Sequence, residues 1–373
     1  MMLQLLALLS CLQPSTGDVG ERVQFELEDG EVLTGNLYLP AEGDVEQVVI
    51  YVHGTGPATY LTRRSIRGVE FSYFDMFGEE FTSRGVAFFS YNKRGVTLGD
   101  TPPHFDEVDR EKFKKVVPST EVRDLGEVIR FLRSTPRLRE AKVVLLGWSE
   151  GTVIASMVAE NADNRVSALF LAGYAHENMF DIIKWQYSGA SSMLTLNPGF
   201  DRDGDGDISR EEFDSDEESA VAMRKVLQGT PFEILDVDKD GALTREDFRL
   251  LAEPQYKYVL GKIEEEDADW IWEHYFRVSI EWLEEHFALE ANKTRLLRLD
   301  LPIYIFHGDR DANTDGQGEH DLRASVESPE TTNLQAFIFE GHDHDLNFLR
   351  WALEKEIPPG IVKIFEVSEG LDR

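Results

Sequence analysis

Cysteine is all but absent. The 373-residue chain has one, Cys11, so no intrachain disulfide can staple the fold and no cysteine-based metal site can form. Cations are scarce: 38 Lys and Arg stand against 70 Asp and Glu, a formal net charge of −32 at pH 7. That balance argues against a nucleic-acid binder, because phosphate neutralisation needs clustered cations. Apolar runs long enough to span a bilayer, about 20 residues, are missing as well. What remains is a composition with 42% hydrophobic and 11% aromatic residues, enough for one large core or two smaller ones and far from that of a disordered chain.

The longest apolar run, Met1 to Leu12, has the length of the apolar part of a signal peptide but lacks the usual cationic start. Residues 1–20 are therefore expected to direct export to the periplasm or the medium. Leu8-Leu9-Ser10-Cys11 resembles a permissive bacterial lipobox, in which a lipidated Cys11 would be the chain's membrane tether.

Beyond this segment, Val23–Leu27 and Val32–Leu39 alternate apolar and polar residues around Glu28-Asp29-Gly30-Glu31, the pattern of an antiparallel hairpin. Then the period changes. Val48–Val52, Val86–Tyr91, Val143–Leu146 and Val166–Leu171 are short continuous apolar runs, as expected for strands buried on both faces of a parallel sheet. Helical spacing lies between them, over Phe71–Arg84 and Ser119–Arg133. The alternation predicts a doubly wound, mostly parallel α/β sheet. It lapses over residues 176–296 and returns at Ile303–Phe306 and Ala336–Phe339. The expected organisation is a core of 21–175 and 297–373 with a helical cap of 176–296 inserted between its sixth and seventh strands.

Three motifs follow predicted strands. Gly147-Trp148-Ser149-Glu150-Gly151 comes after Val143–Leu146 and before a helix-like segment. In that context G-x-S-x-G forces a serine onto a sharp turn that exposes its hydroxyl above the sheet. Such a hydroxyl needs a base, and the base an orienting acid. Gly308-Asp309-Arg310-Asp311 and Gly341-His342-Asp343-His344 supply both, in the chain order Ser, Asp, His and at carboxyl ends of strands, where open α/β sheets bind ligands. Asp311 is favoured over Asp309, because the loop must turn after Gly308 before a carboxylate can face the base. His342 is favoured over His344. His307 reads as a buried structural histidine. The oxyanion hole is expected from the backbone N–H groups of Glu150 and of Thr55, the latter in His53-Gly54-Thr55-Gly56-Pro57, where two glycines allow close approach of substrate.

Together with Tyr91-Asn92-Lys93-Arg94-Gly95-Val96, these motifs resemble the α/β-hydrolase superfamily, in particular its bacterial carboxylesterase-like branch with Ser-Glu-Gly at the elbow. The resemblance covers about 21–175 and 300–357. It implies cofactor-free acyl transfer to water through Ser149, Asp311 and His342. One departure is Ala58-Thr59-Tyr60-Leu61-Thr62-Arg63-Arg64, where that branch carries a polar, acidic stretch.

The insertion carries a second chemistry. Asp201, Asp203, Asp205, Asp207, Ser209 and Glu212 fall at positions 1, 3, 5, 7, 9 and 12 of a loop with Gly206 at 6 and Ile208 at 8, which is the EF-hand rule for calcium. Asp236, Asp238, Asp240, Ala242, Thr244 and Asp247 repeat it, starting 35 residues later, with the shorter Asp247 at position 12. Two calcium ions are expected, acting as staples rather than as a sensor, since Asn197-Pro198-Gly199 argues against a regular helix entering the first loop. The aromatic stretch Trp270 to Phe287 reads first as a packed helix face and second as an acyl-site lining. The leading reading is an exported serine carboxylesterase with a calcium-stapled cap, acting on a small acyl ester. A peptidase or amide hydrolase, and a calcium-dependent binding module on an inactive scaffold, are the alternatives.

Overall fold

The computed structural model describes residues 20–314, 321, 324 and 333–371. The signal segment and Cys11 lie outside them. Eight strands form one sheet: β1 (Glu21–Glu26), β2 (Val32–Tyr38), β3 (Gln47–Val52), β4 (Ala87–Tyr91), β5 (Lys142–Trp148), β6 (Val166–Ala172), β7 (Ile303–Gly308) and β8 (Leu334–Phe339), in the order β1-β2-β4-β3-β5-β6-β7-β8. The expected hairpin pairs β1 and β2 antiparallel, with Glu26 opposite Val32, and β2 also runs antiparallel to β4. From β4 to β8 every pairing is parallel.

Period-two alternation explains how strands without a polar face are accommodated. In β3, Val48, Ile50 and Val52 face one apolar cluster, while Val49 and Tyr51 face the other. Helices cover both sides. Leu125, Val128 and Ile129 of α2 (Pro118–Ser134) and Ile154 and Val158 of α3 (Glu150–Glu160) fill the first cluster. Phe74, Phe77 and Phe81 of α1 (Tyr73–Ser83) fill the second with Ile361, Ile364 and Phe365 of the C-terminal helix Pro359–Gly370.

The helix expected from Phe71 begins two residues later. Val69–Ser72 pairs antiparallel with Arg63–Ile66 through Arg67 and Gly68, both at positive φ (53° and 78°), a two-residue turn suited to a twisted hairpin. The alternating burial of Val-Glu-Phe-Ser, with Phe71 inside, overrides its helical spacing.

Between β6 and β7 lies the inserted helical region, including α4 (Met179–Gln186), α5 (Ala190–Phe200), α6 (Arg245–Glu264) and α7 (Ile280–Ala288). It has apolar clusters of its own, one around Phe200, Ile208, Phe213 and Leu243, the other around Ile271, Trp282 and Leu283. The helix entering the first acidic loop is present, contrary to the expectation from Asn197-Pro198-Gly199: α5 runs through Pro198 to Phe200. Proline there forfeits one backbone hydrogen bond, and burial of Leu196 and Phe200 against the rest of the cluster outweighs that loss. Among the described residues no helix is long and apolar enough to cross a membrane.

The crossing of β5 and α3 leaves no room for side chains. A Cβ on Gly151 would lie 2.1 Å from the Val52 carbonyl oxygen, and one on Gly147 would lie 2.4 Å from that of Gly151. Gly151→Ala is expected to lower stability by roughly 3 kcal/mol, the upper end of overpacking costs, read as a shifted denaturant midpoint at unchanged m-value.

Candidate active site

Ser149 sits at the turn from β5 into α3 with φ 56° and ψ −123°, a conformation that costs a non-glycine residue about 1–3 kcal/mol. Two contacts over-determine it. Its N–H donates to the Ala172 carbonyl at the end of β6 (3.0 Å), and its own carbonyl accepts from the Thr152 N–H (2.9 Å) and Oγ1 (2.7 Å). The hydroxyl is thereby presented to a cavity of about 380 Å³ that Ser149 lines together with His344, Thr55 and Glu150.

Asp311 and His344 form a close pair beside this cavity. His344 Nδ1 lies 2.8 Å from Asp311 Oδ2. Asp311 is held in place by its own loop, accepting from the N–H groups of Asn313 (2.8 Å) and Thr314 (3.0 Å) and from Thr314 Oγ1 (2.7 Å). Burial opposes charge on both partners, and their mutual attraction outweighs it. The Asp311 carboxyl is held far below the usual range, while His344 is pushed up to about 9. An ionised Asp311 can only accept, so the neutral ring carries its proton on Nδ1 and leaves Nε2 to act as a base. The ring lies against Gly173, where an added Cβ would come within 2.9 Å of its Cε1, one residue beyond the carbonyl that fixes Ser149.

The structure brings His344 to Asp311, and not His342 as expected. His342 Nδ1 is 2.9 Å from the Glu340 carbonyl, and its Cδ2 edge faces Gly360 of the C-terminal helix. Its carbonyl accepts from the Arg310 N–H at 3.0 Å, which uses residue 342 to close the turn beside Asp311. The reason is distance: β8 lies three strands from β5, about 14 Å at the usual strand spacing, and two further residues bring an imidazole back over β6. Asp309 faces the other way, accepting from the Gly341 N–H at 2.7 Å.

The oxyanion candidates flank the nucleophile. A Cβ on Gly54 would stand 3.2 Å from Ser149 Cβ, so the loop carrying Thr55 passes directly over the serine. His53 anchors that loop: its Nε2 lies 2.6 Å from the Tyr91 carbonyl, and burial, with Lys93 adding to it, lowers its pKa to about 3. The ring is neutral and donates.

Sequence reasoning missed what the Glu150 side chain does. Its carboxylate is buried and accepts from Trp282 Nε1 (2.6 Å) and from His286 Nε2 (2.7 Å), both on α7, with Lys93 Nζ 3.6 Å away. Lys93 also pairs with Glu121 at 3.0 Å. Burial opposes ionisation of Glu150, but Lys93, His286 and Trp282 hold it well below the ordinary range. Burial instead raises Glu121, against the pull of Lys93. The inserted helix α7 is thus tied to the residue whose N–H follows the nucleophile. The signal was present as a lysine and a glutamate in apolar surroundings, but their partners lie 28 to 136 residues away in sequence.

The acidic loops form one paired unit. Ile208–Ser209 pairs antiparallel with Ala242–Leu243, burying both position-8 aliphatics. Asp201, Asp203 and Glu212 bring carboxylate oxygens within 4.8 Å of one another, as do Asp236, Asp238 and Asp247. Glu212 and Asp247 are buried, each accepting from backbone N–H groups of its own loop, Arg202 and Ser209 for one, Val237 and Thr244 for the other. Asp205, Asp207 and Asp240 stand exposed along the loops, with Ala242 half-buried. Ser209 and Thr244 cap the exit helices, their hydroxyls donating to Glu212 and Asp247. This oxygen-only set suits a hard divalent cation.

A family model described as the alpha/beta hydrolase fold matches residues 47–206, and one described as EF hand matches 200–215 and 231–252. No curated protein matches the chain. Among solved structures, it is similar to DcsB, determined in complex with its substrate analogue, at 15% identity over 94% of this chain and 97% of that one, with a TM-score of 0.51. It is also similar to the hypothetical protein PA2218 from Pseudomonas aeruginosa, at 12% identity over 100% and 99% of the two chains, again with a TM-score of 0.51. With the strand order and the elbow, these matches show that the chain has the α/β-hydrolase fold, with an inserted pair of acidic loops that matches the EF-hand model.

Proposed function

We propose that this chain is a serine hydrolase that cleaves carboxylic esters through an acyl-enzyme on Ser149, with His344 as base, Asp311 as orienting acid and a calcium-stabilised cap. The observation that carries the reading is the 2.8 Å His344–Asp311 contact in the cavity onto which Ser149 opens. In the reaction, His344 Nε2 takes the Ser149 proton as Oγ attacks the ester carbonyl, and the imidazolium so formed is stabilised by Asp311. The N–H groups of Thr55 and Glu150 receive the developing oxyanion. His344 then returns the proton to the departing alkoxide. Water, deprotonated by the same nitrogen, attacks the acyl carbon; the carbon's bond to Ser149 Oγ breaks, the acid leaves, and His344 returns the proton to Oγ.

The two acidic loops would hold calcium through Asp201, Asp203 and Glu212 and through Asp236, Asp238 and Asp247, and a bound cation supplies the positive charge that such crowded carboxylates lack. The chain's own contacts lead from these loops to the acid of the triad. α5, which runs into the first loop, starts with Ser191 Oγ donating to the Ala312 carbonyl (2.6 Å), and Gln186 of α4 donates to that of Asn313 (2.7 Å). Arg245, which opens the exit helix of the second loop, donates to the Ser188 carbonyl and hydroxyl between α4 and α5. The backbone flanking Asp311 therefore rests on helices that the EF-hand unit holds.

Four outcomes are expected. Chromogenic acyl esters are hydrolysed and Ser149→Ala abolishes this; turnover of anilides but not esters would replace the ester reading by an amidase. His344→Ala lowers kcat/KM by about 10³-fold or more, whereas His342→Ala stays within a few-fold. With His344 raised to about 9, only its neutral form is a base, so kcat/KM climbs with pH through neutrality into the alkaline range, and Asp311→Asn moves the inflection down. Chelator lowers the melting temperature and far-UV helicity together with activity, and calcium restores all three; activity lost with helicity intact would sink the stapling role.

A further inference from the structure

Taking the hydrolase reading as its basis, we infer that Arg64 is a specificity-determining residue, and that the preferred esters carry a carboxylate on their acyl or alcohol part. The hairpin Arg63–Ser72 follows the oxyanion loop and places Arg64 on the wall of the Ser149 cavity. Its Nη1 donates to the carbonyls of Arg63 (2.9 Å) and His104 (3.0 Å), which fixes the guanidinium without neutralising it. The nearby acid, Asp106, is engaged bidentately by Arg277 at 2.9 and 2.8 Å. Two cations thus share one carboxylate, and among the described residues Arg64 has no ion-pair partner within 4 Å. Burial disfavours its charge; Tyr73 and Asp106 work against that effect and Arg277 adds to it.

The other acids on the cavity wall do not compensate it. The Glu150 carboxylate is directed to Trp282, His286 and Lys93. Asp345 lies beside His344, and burial pushes its carboxyl toward the neutral form. In a chain of net charge −32, a half-buried guanidinium without an ion pair on the wall of the cavity that Ser149 lines is an anion site held ready, because a partly desolvated cation gains most from an arriving carboxylate. The same cavity is also lined by Met179, Ile182, Ile183 and Phe276, which offer apolar contact to the remainder of the substrate. The arginine that stood out as a departure in the stretch after Pro57 acquires a use here.

The test compares esters matched in length. Monomethyl adipate is set against methyl hexanoate for the acyl side, and 4-(butanoyloxy)butanoate against butyl butanoate for the alcohol side, with acid release followed by pH-stat. In at least one pair the acid-bearing ester should have the higher kcat/KM by about tenfold or more, the scale of one hydrogen bond to a charged group, chiefly through a lower KM. Arg64→Met should bring that ratio close to one by raising KM for the acid-bearing ester, and Arg64→Lys should recover part of it. No preference in either pair, or a preference that survives Arg64→Met, overturns the assignment of Arg64. Failure to hydrolyse any of the four esters, with no labelling of Ser149 by a fluorophosphonate, overturns the hydrolase reading instead.

Discussion

The site depends on the tightness of one crossing. β5 must reverse into α3 within a single residue, between the end of β3 and the end of β6, and the space there admits only hydrogen at positions 147 and 151. Ser149 is driven into a conformation that would otherwise relax, and the Ala172 carbonyl and Thr152 hold it there. The strain is stored at the buried end of β5 beside the fully buried β3, so the core sustains it together with these local contacts. Everything else in the cavity is placed relative to this fixed point.

Two kinds of element meet at that point. The acid and base arrive from β7 and β8 of the core sheet, whereas α4 and α7 arrive from the insertion. The second kind is attached by burying charge: Glu150 gives up solvent for Trp282, His286 and Lys93. Such an arrangement is costly to break from one side, since the orphaned carboxylate would remain in an apolar surround. It favours a unique seating of α7 over many loose ones.

Much of this was legible in the sequence. Continuous apolar runs gave β3 to β7, because strands covered on both faces need no polar positions. The elbow could be read from two glycines around Ser149, and the EF-hand unit from ligand spacing that repeats after 35 residues. The misreadings share one cause, dependence on contacts distant in sequence. Preferring His344 to His342 as the partner of Asp311 required knowing how far β8 stands from β5. The proline in α5 looked like a break because the apolar cluster that outweighs it comes partly from residues after the first loop. The hairpin before α1 carried a helical period in its sequence, and it is pairing with Arg63–Ile66 that decided the matter. Glu150 read as a motif letter, and its side chain's role is set by a helix more than 100 residues away.

The two histidines nearest the serine are biased in opposite directions. His53, shut away with Lys93 nearby, stays neutral down to about pH 3, and His344, facing Asp311, stays charged up to about pH 9. Across the span between them neither imidazole changes its charge in the resting enzyme. Neither ring therefore contributes a change of charge near Ser149 in the range where ordinary histidines titrate. The attraction of Asp311 that keeps His344 protonated leaves few molecules with a free ring nitrogen at neutral pH, so constancy of charge is obtained at the expense of available basicity.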